Sequence, residues 1–151
     1  AAASDLSEAA LETIITNIQK IKDDRNILIG SSAVSLHIPP DLWSTADQIL
    51  HSPGSTVAGG TGDGTYAQNN INAIRHMGMI PEGFFVNRRF TDTNNYYIKT
   101  DVPNGAKMFV RVPLQTKMEP DFDTGNLRFK ARERYSFGFS DWRSYFGSQG
   151  S

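Results

Sequence analysis

From Leu127 to Phe139 the chain alternates, with Leu127, Phe129, Ala131, Tyr135, Phe137 and Phe139 at odd positions and Arg128, Lys130, Arg132 and Arg134 at even ones. Period two predicts a strand with two unlike faces. One face is apolar apart from Glu133, and the other carries four cations in succession. Like charges in a row repel, so such a face is best tolerated where water, phosphate or the carboxylates of another chain lie opposite.

Upstream the period changes. Leu11, Ile14, Ile15, Ile18 and Ile21 recur at helical spacing, and Asp5 with Glu8 three positions later has the form of a capping box, so an amphipathic helix is expected up to Lys22. Val34, Leu36 and Ile38 then alternate with Ser35 and His37 as a half-buried strand, which Pro39 and Pro40 stop. Pro40 and Asp41 suit the first turn of a second helix, with Leu42, Trp43, Ala46, Ile49 and Leu50 as its apolar stripe and Trp43 expected in the core. Residues 53–65, PGSTVAGGTGDGT, predict a mobile surface loop. For 66–80 the spacing of Ala67, Ile71, Ile74 and Met77 favours a helix while Asn69, Asn70 and Asn72 oppose one. Short strands are expected at Phe84 to Asn87, Tyr96 to Lys99 and Lys107 to Val112, with turns at TDTNN and VPNG. A hairpin joins Leu114–Met118 to the tail strand across Asp121–Asn126, and the last five residues read as irregular. Early helices followed by antiparallel strands give an α+β fold, with helices packed on a mainly antiparallel sheet and one long hairpin.

At 151 residues a single domain can bury about 70% of its unfolded surface. The chain has no Cys, which excludes disulfides and thiolate metal sites and fits a reducing compartment or a particle assembled inside a cell. Lys plus Arg is 15 against 16 for Asp plus Glu. Any attraction for a polyanion is therefore local, and the tail strand is such a locality. The sequence contains neither a signal-like segment nor an apolar run long enough to span a membrane.

Candidate chemistry is sparse. GGTGDG, 59–64, offers backbone amides to an anion, but it follows a predicted helix and lacks the Lys and Ser/Thr of a phosphate loop. Asp123-Thr124-Gly125 spells the triplet of dimeric aspartic proteases, in which two such carboxylates share a proton. Glu119, Pro120 and Asp121 before it are charged or strand-breaking, so a hairpin turn is expected instead. Asp121, Asp123 and Asn126 suggest calcium, yet Arg132 stands where a bidentate Glu is required. His37, His51 and His76 are expected to lack a His, Asp or Glu partner, with His51 closing a helix. No catalytic, cofactor or metal site is expected. For the row Arg128, Lys130, Arg132 and Arg134, a solvated face, a nucleic-acid contact of the kind a small DNA-binding module makes, and a subunit contact are the three readings. That face has no base-stacking aromatics in the tail strand, so pairing with the acidic groups of a neighbouring chain is favoured. Trp142, after Asp141 and before Arg143, reads as a partly exposed anchor for the same neighbour.

Arg132-Glu133-Arg134-Tyr135, Gly138, Asp141-Trp142-Arg143, Gly147, Ser148 and Gly150 resemble the carboxyl-terminal tail of tailed-phage major capsid proteins. LSEAALETIITNIQKIKDDRN, HIPPDLWSTADQIL and GMIPEGFFVNRRFTDTNNYYIKTDV are similar to successive blocks of the same family, in the same order, so the resemblance runs from about Leu6 to Gly150. It implies the Hong Kong phage capsid fold, shared with encapsulin shells, and an encapsulin-type shell protein is the alternative function within the same architecture. Residues 1–112 would be axial domain, 113–137 a peripheral-domain hairpin and 138–151 a return to the axial domain, with the glycine-rich loop near a five- or six-fold axis. Family members are about twice as long, so this chain would be their carboxyl-terminal portion. The implied function is a structural, non-enzymatic major head subunit, from a phage or prophage, that assembles with copies of itself into pentamers and hexamers of an icosahedral shell. Implied partners are those copies, a scaffolding protein and the packaged DNA nearby, without a membrane. The implied location is the virion, assembled in the host cytoplasm. Asp141, Trp142, Arg143 and the cationic row are the expected subunit interface, and the resemblance assigns no cross-linking residues.

Overall fold

In the computed structural model, residues 4–54 and 71–150 are described. Helix α1 spans Glu8–Gln19. Its N-cap is Ser7 rather than Asp5: Ser7 has extended backbone and its Oγ accepts from the Ala10 amide at 3.2 Å, satisfying a donor that the first turn leaves without a helical partner. Leu11, Ile15 and Ile18 are buried along one stripe. The helix stops at Gln19, short of the expected Lys22, because residues 20–29 turn back on themselves: Lys22 bridges Leu28, and Ile29 donates to the Ile21 carbonyl at 3.0 Å.

Strand β1, Ala33–Ile38, leads through a 3-10 turn at Pro40–Leu42 into α2, Trp43–His51. Ala46, Ile49 and Leu50 of α2 are buried, but Trp43 is 57% exposed, contrary to its expected place in the core. As the first α-helical residue it projects toward the helix N-terminus, the direction in which helical Cα–Cβ bonds tilt, and so beyond the packed turns. Of the ambiguous segment, Ala73–His76 form a single turn, α3. Asn72 caps it, accepting from the Arg75 amide at 3.1 Å while its amide group donates to the Ile49 carbonyl. The residue type that disfavours a helix interior thus starts the helix. Ala67, Asn69, Asn70 and nearly all of the glycine-rich stretch, including 59–64, lie outside the described residues.

Strands β2 (Phe84–Val86), β3 (Tyr96–Thr100) and β6 (Tyr145–Ser148) join β1 in a sheet of order β2-β1-β3-β6, in which only β1 and β2 are parallel. The row Phe84, Leu36, Ile98 and Phe146, read across the register, faces the helices with Ile38 and Tyr96, and this is the core. The opposite row is Phe85, His37, Tyr97 and Gly147. The chain end is more regular than expected. Gly147 and Ser148 lie in β6, where the Ser148 Oγ accepts from the Ser4 amide at 3.1 Å and donates to its carbonyl at 3.0 Å. These elements belong to one compact unit, Ala1–Val102 with Arg143–Ser151. Pro103–Trp142 form a second.

Candidate functional site

The second unit is built on two strands, β4 (Ala106–Pro120) and β5 (Leu127–Phe139), paired antiparallel along their whole length. The two pieces expected at 107–112 and 114–118 are therefore one strand. What joins them is a pair of irregularities, between Val110 and Val112 and between Val112 and Gln115, each placing one extra residue in β4. Pro113 falls in the second, where its missing N–H costs no ladder bond. Two one-residue bulges restore the original parity, so the face assignment is the same at both ends of the ribbon.

At the tip, Gly125 has φ +69° and donates to the Asp121 carbonyl at 2.9 Å, while Asp121 donates to the Asn126 carbonyl at 2.8 Å. The Asp121 carboxylate accepts from the Thr124 hydroxyl at 2.8 Å and from Arg128 Nη2 at 2.7 Å. Asp123 sits exposed in this turn, not at the end of a buried strand as the protease reading requires. At the other end, Asp141 donates to the Asn104 carbonyl at 3.1 Å and Lys107 Nζ to Asn104 Oδ1 at 2.5 Å.

One ribbon face pairs Leu127 with Pro120, Phe129 with Met118, Tyr135 with Val110 and Phe137 with Met108. All are exposed, Phe137 to 74%, and Tyr135 meets Phe137 edge to face with ring centroids 5.5 Å apart. The alternating pattern predicts an apolar face correctly but not its burial, since the ribbon has neither a third strand nor a helix in its own unit. The other face pairs Arg128 with Glu119, Lys130 with Lys117, Arg132 with Gln115 and Arg134 with Val112. Nearer the base of this face Phe109 lies over Gly138, where an added Cβ would come 2.9 Å from the ring.

The remaining residues of the expected subunit interface diverge. Trp142 is 59% exposed. Arg143 is largely covered and bound within the first unit, with Nη2 3.2 Å from Asp24 and 3.7 Å from Asp23, while its carbonyl accepts from the Thr100 hydroxyl at 2.8 Å. Asp141 and Arg143 thus anchor the ends of the two units, and the sequence neighbourhood alone does not reveal that division of labour.

The histidines were expected without partners, but His51 Nδ1 lies 2.7 Å from Asp47 Oδ1, one helical turn earlier. The i,i+4 spacing was the available signal. His37 stacks on Phe85 at 5.5 Å and approaches Ser35 Oγ at 3.3 Å. Burial, and secondarily the Lys99 charge, hold its pKa below the ordinary value, with Glu82 opposing. Among the described residues no three His, Cys, Asp or Glu side chains are grouped to hold a metal ion, and no helix is long and apolar enough to cross a membrane.

Both faces of the β4–β5 ribbon present exposed side chains, apolar on one and cationic on the other. No curated protein and no solved structure matches the chain. A family model described as phage capsid protein matches residues 1–146 of 151. The chain belongs to the phage capsid protein family.

Proposed function

We propose that this chain is the self-associating part of a major head subunit, a structural tile of an icosahedral phage or prophage shell, and that the ribbon of residues 103–142 is the arm by which one copy meets the next. The observation that carries this reading is the exposed apolar face of the ribbon. A two-stranded hairpin with no further layer is marginal in water, and contiguous exposed apolar surface of this kind marks an interaction site. Family membership supports a shell as the setting. In this assignment the globular unit is the axial domain of the Hong Kong phage capsid fold, and the ribbon, including the hairpin at 113–137, belongs to the peripheral domain. The chain corresponds to the carboxyl-terminal portion of such a subunit, and 138–151 return to the axial domain.

The contact is heterologous, ribbon of one copy on another part of the next, and contacts of that type repeat around an axis into rings. Pentamers and hexamers follow naturally. A scaffolding protein and the packaged DNA are proximate partners, and the virion, assembled in the host cytoplasm, is the location. The reading is tested by sedimentation velocity of the wild-type chain and of a Phe129→Ser/Tyr135→Ser variant. Both side chains are exposed in the single chain, so the variant should fold as the wild type does and lose association. A variant that associates as the wild type does removes the ribbon from the interface.

A further inference from the structure

We infer that the cationic face of the ribbon receives carboxylates carried by the globular unit of a second copy of this chain. The inference rests on the shell-subunit reading above and names what one face of the arm binds. Its centre is a notch of about 140 Å³ lined by Gln115, Lys117, Lys130 and Arg132.

Lys117 and Lys130 stand directly opposite each other in the ladder, with Arg132 next along the same face. Opposed like charges destabilise a strand pair. This pair has no internal relief: among the described residues Lys117, Lys130, Arg132 and Arg134 have no ion-pair partner. Toward the tip the situation reverses. Arg128 is opposite Glu119 and 2.7 Å from Asp121, so its charge is met within the ribbon. Toward the base of the same face Lys107 meets the neutral Asn104 and, among the described residues, no ion-pair partner, so the unmet positive charge begins at the Lys117–Lys130 pair, where the acids of the tip stop.

The acids that bound this charge at the tip bear on the class of partner. A duplex nucleic acid presents one negative charge about every 1.7 Å of its axis and favours cations spread along a track. An opposed lysine pair bounded toward the tip by Glu119 and Asp121, acids that would repel a phosphate track continuing past them, suits discrete carboxylates instead. The chain carries an excess of them outside the ribbon. Residues 103–142 contain seven Lys and Arg against five Asp and Glu, whereas the rest of the chain contains eight against eleven. The two units thus carry opposite net charge, +2 and −3. A ribbon laid on the globular unit of the next copy joins surfaces of opposite sign, and a ribbon laid on another ribbon does not.

The test treats a mixture of heavy- and light-isotope-labelled wild-type chains with a carbodiimide, which joins amines to carboxylates in direct contact. Mass spectrometry then identifies mixed-label links. Lys117 and Lys130 are expected to join Asp or Glu of residues 1–102 across chains. In parallel, the Lys130→Glu/Arg132→Glu variant is expected to weaken association by about tenfold or more at low salt, with the difference shrinking as salt rises. If the wild-type chain remains a monomer, the shell-subunit reading fails and this inference fails with it. If the wild type associates while the double variant associates equally well and no such links form, this inference alone is overturned. Association that nuclease abolishes, with duplex DNA affinity lost in the double variant, assigns the notch to phosphate and also overturns it.

Discussion

Phe129 of β5 stands directly across from Met118 of β4, and the two are 61% and 67% exposed on a ribbon face that nothing in their own unit covers. In an ordinary core such a pair contributes through burial; here its apolar surface stays in water in the single chain. Truncating it should therefore leave the folding of the single chain nearly unchanged. Met118→Ala is expected to shift unfolding stability by less than about 0.5 kcal/mol, measured by denaturant titration at a concentration where the chain is monomeric, while reducing association in sedimentation experiments.

The globular unit behaves in the opposite way. Ile18 of α1 and Leu36 of β1 are fully buried where the helices meet the sheet. Removing either side chain takes away apolar burial and leaves a cavity. Ile18→Ala or Leu36→Ala should cost about 2–5 kcal/mol, read from the denaturant midpoint at unchanged slope.

Gly147 is tied to its neighbour by space. A Cβ there would lie 2.6 Å from Cδ1 of Tyr97, directly across the β3–β6 ladder, so Gly147→Ala must push the aromatic ring aside. The expected loss is about 1–3 kcal/mol. A Tyr97→Ala background, which removes the clashing ring, should reduce the additional cost of the Gly147 substitution in a double-mutant cycle.

His37 makes the globular unit pH-sensitive. Its folded pKa is lowered, first by burial and then by Lys99, so the unfolded chain binds the proton more readily and protonation favours unfolding. Stability from this residue is complete above the unfolded value of about 6.5. It declines as pH falls from there toward the lowered folded pKa, and levels off below that. His37→Gln should flatten this part of the stability–pH curve, checked by denaturant titration across the acidic range. A curve unchanged by the substitution would contradict the assignment.

The elements that were legible in the sequence are those with long, uninterrupted periodicity. The stripe Leu11, Ile15 and Ile18, the alternation Leu36–Ile38 and the thirteen-residue β5 all have their predicted type. What was not legible depends on three-dimensional supply of partners. Trp43 has a core-like spacing but begins its α-helix and projects beyond the packed turns. Lys107–Val112 and Leu114–Met118 read as separate because Pro113 normally ends a strand, and the second of two compensating bulges accommodates it. The apolar face of β5 reads like any buried face, since periodicity distinguishes one side of a strand from the other and does not say whether anything covers it. The charges behaved similarly: Arg128 and Arg143 belong to the same basic, carboxyl-terminal stretch as Lys130 and Arg132, yet the first two find acids in their own chain.

Whether the ribbon contacts other copies, as proposed, can be seen by electron cryomicroscopy of the assembled particle. The expected result is density for residues 103–142 pressed against the globular unit of an adjacent copy, with Phe129, Tyr135 and Phe137 removed from solvent. A particle in which both faces of the ribbon remain open to solvent, and in which copies touch only through their globular units, would contradict it.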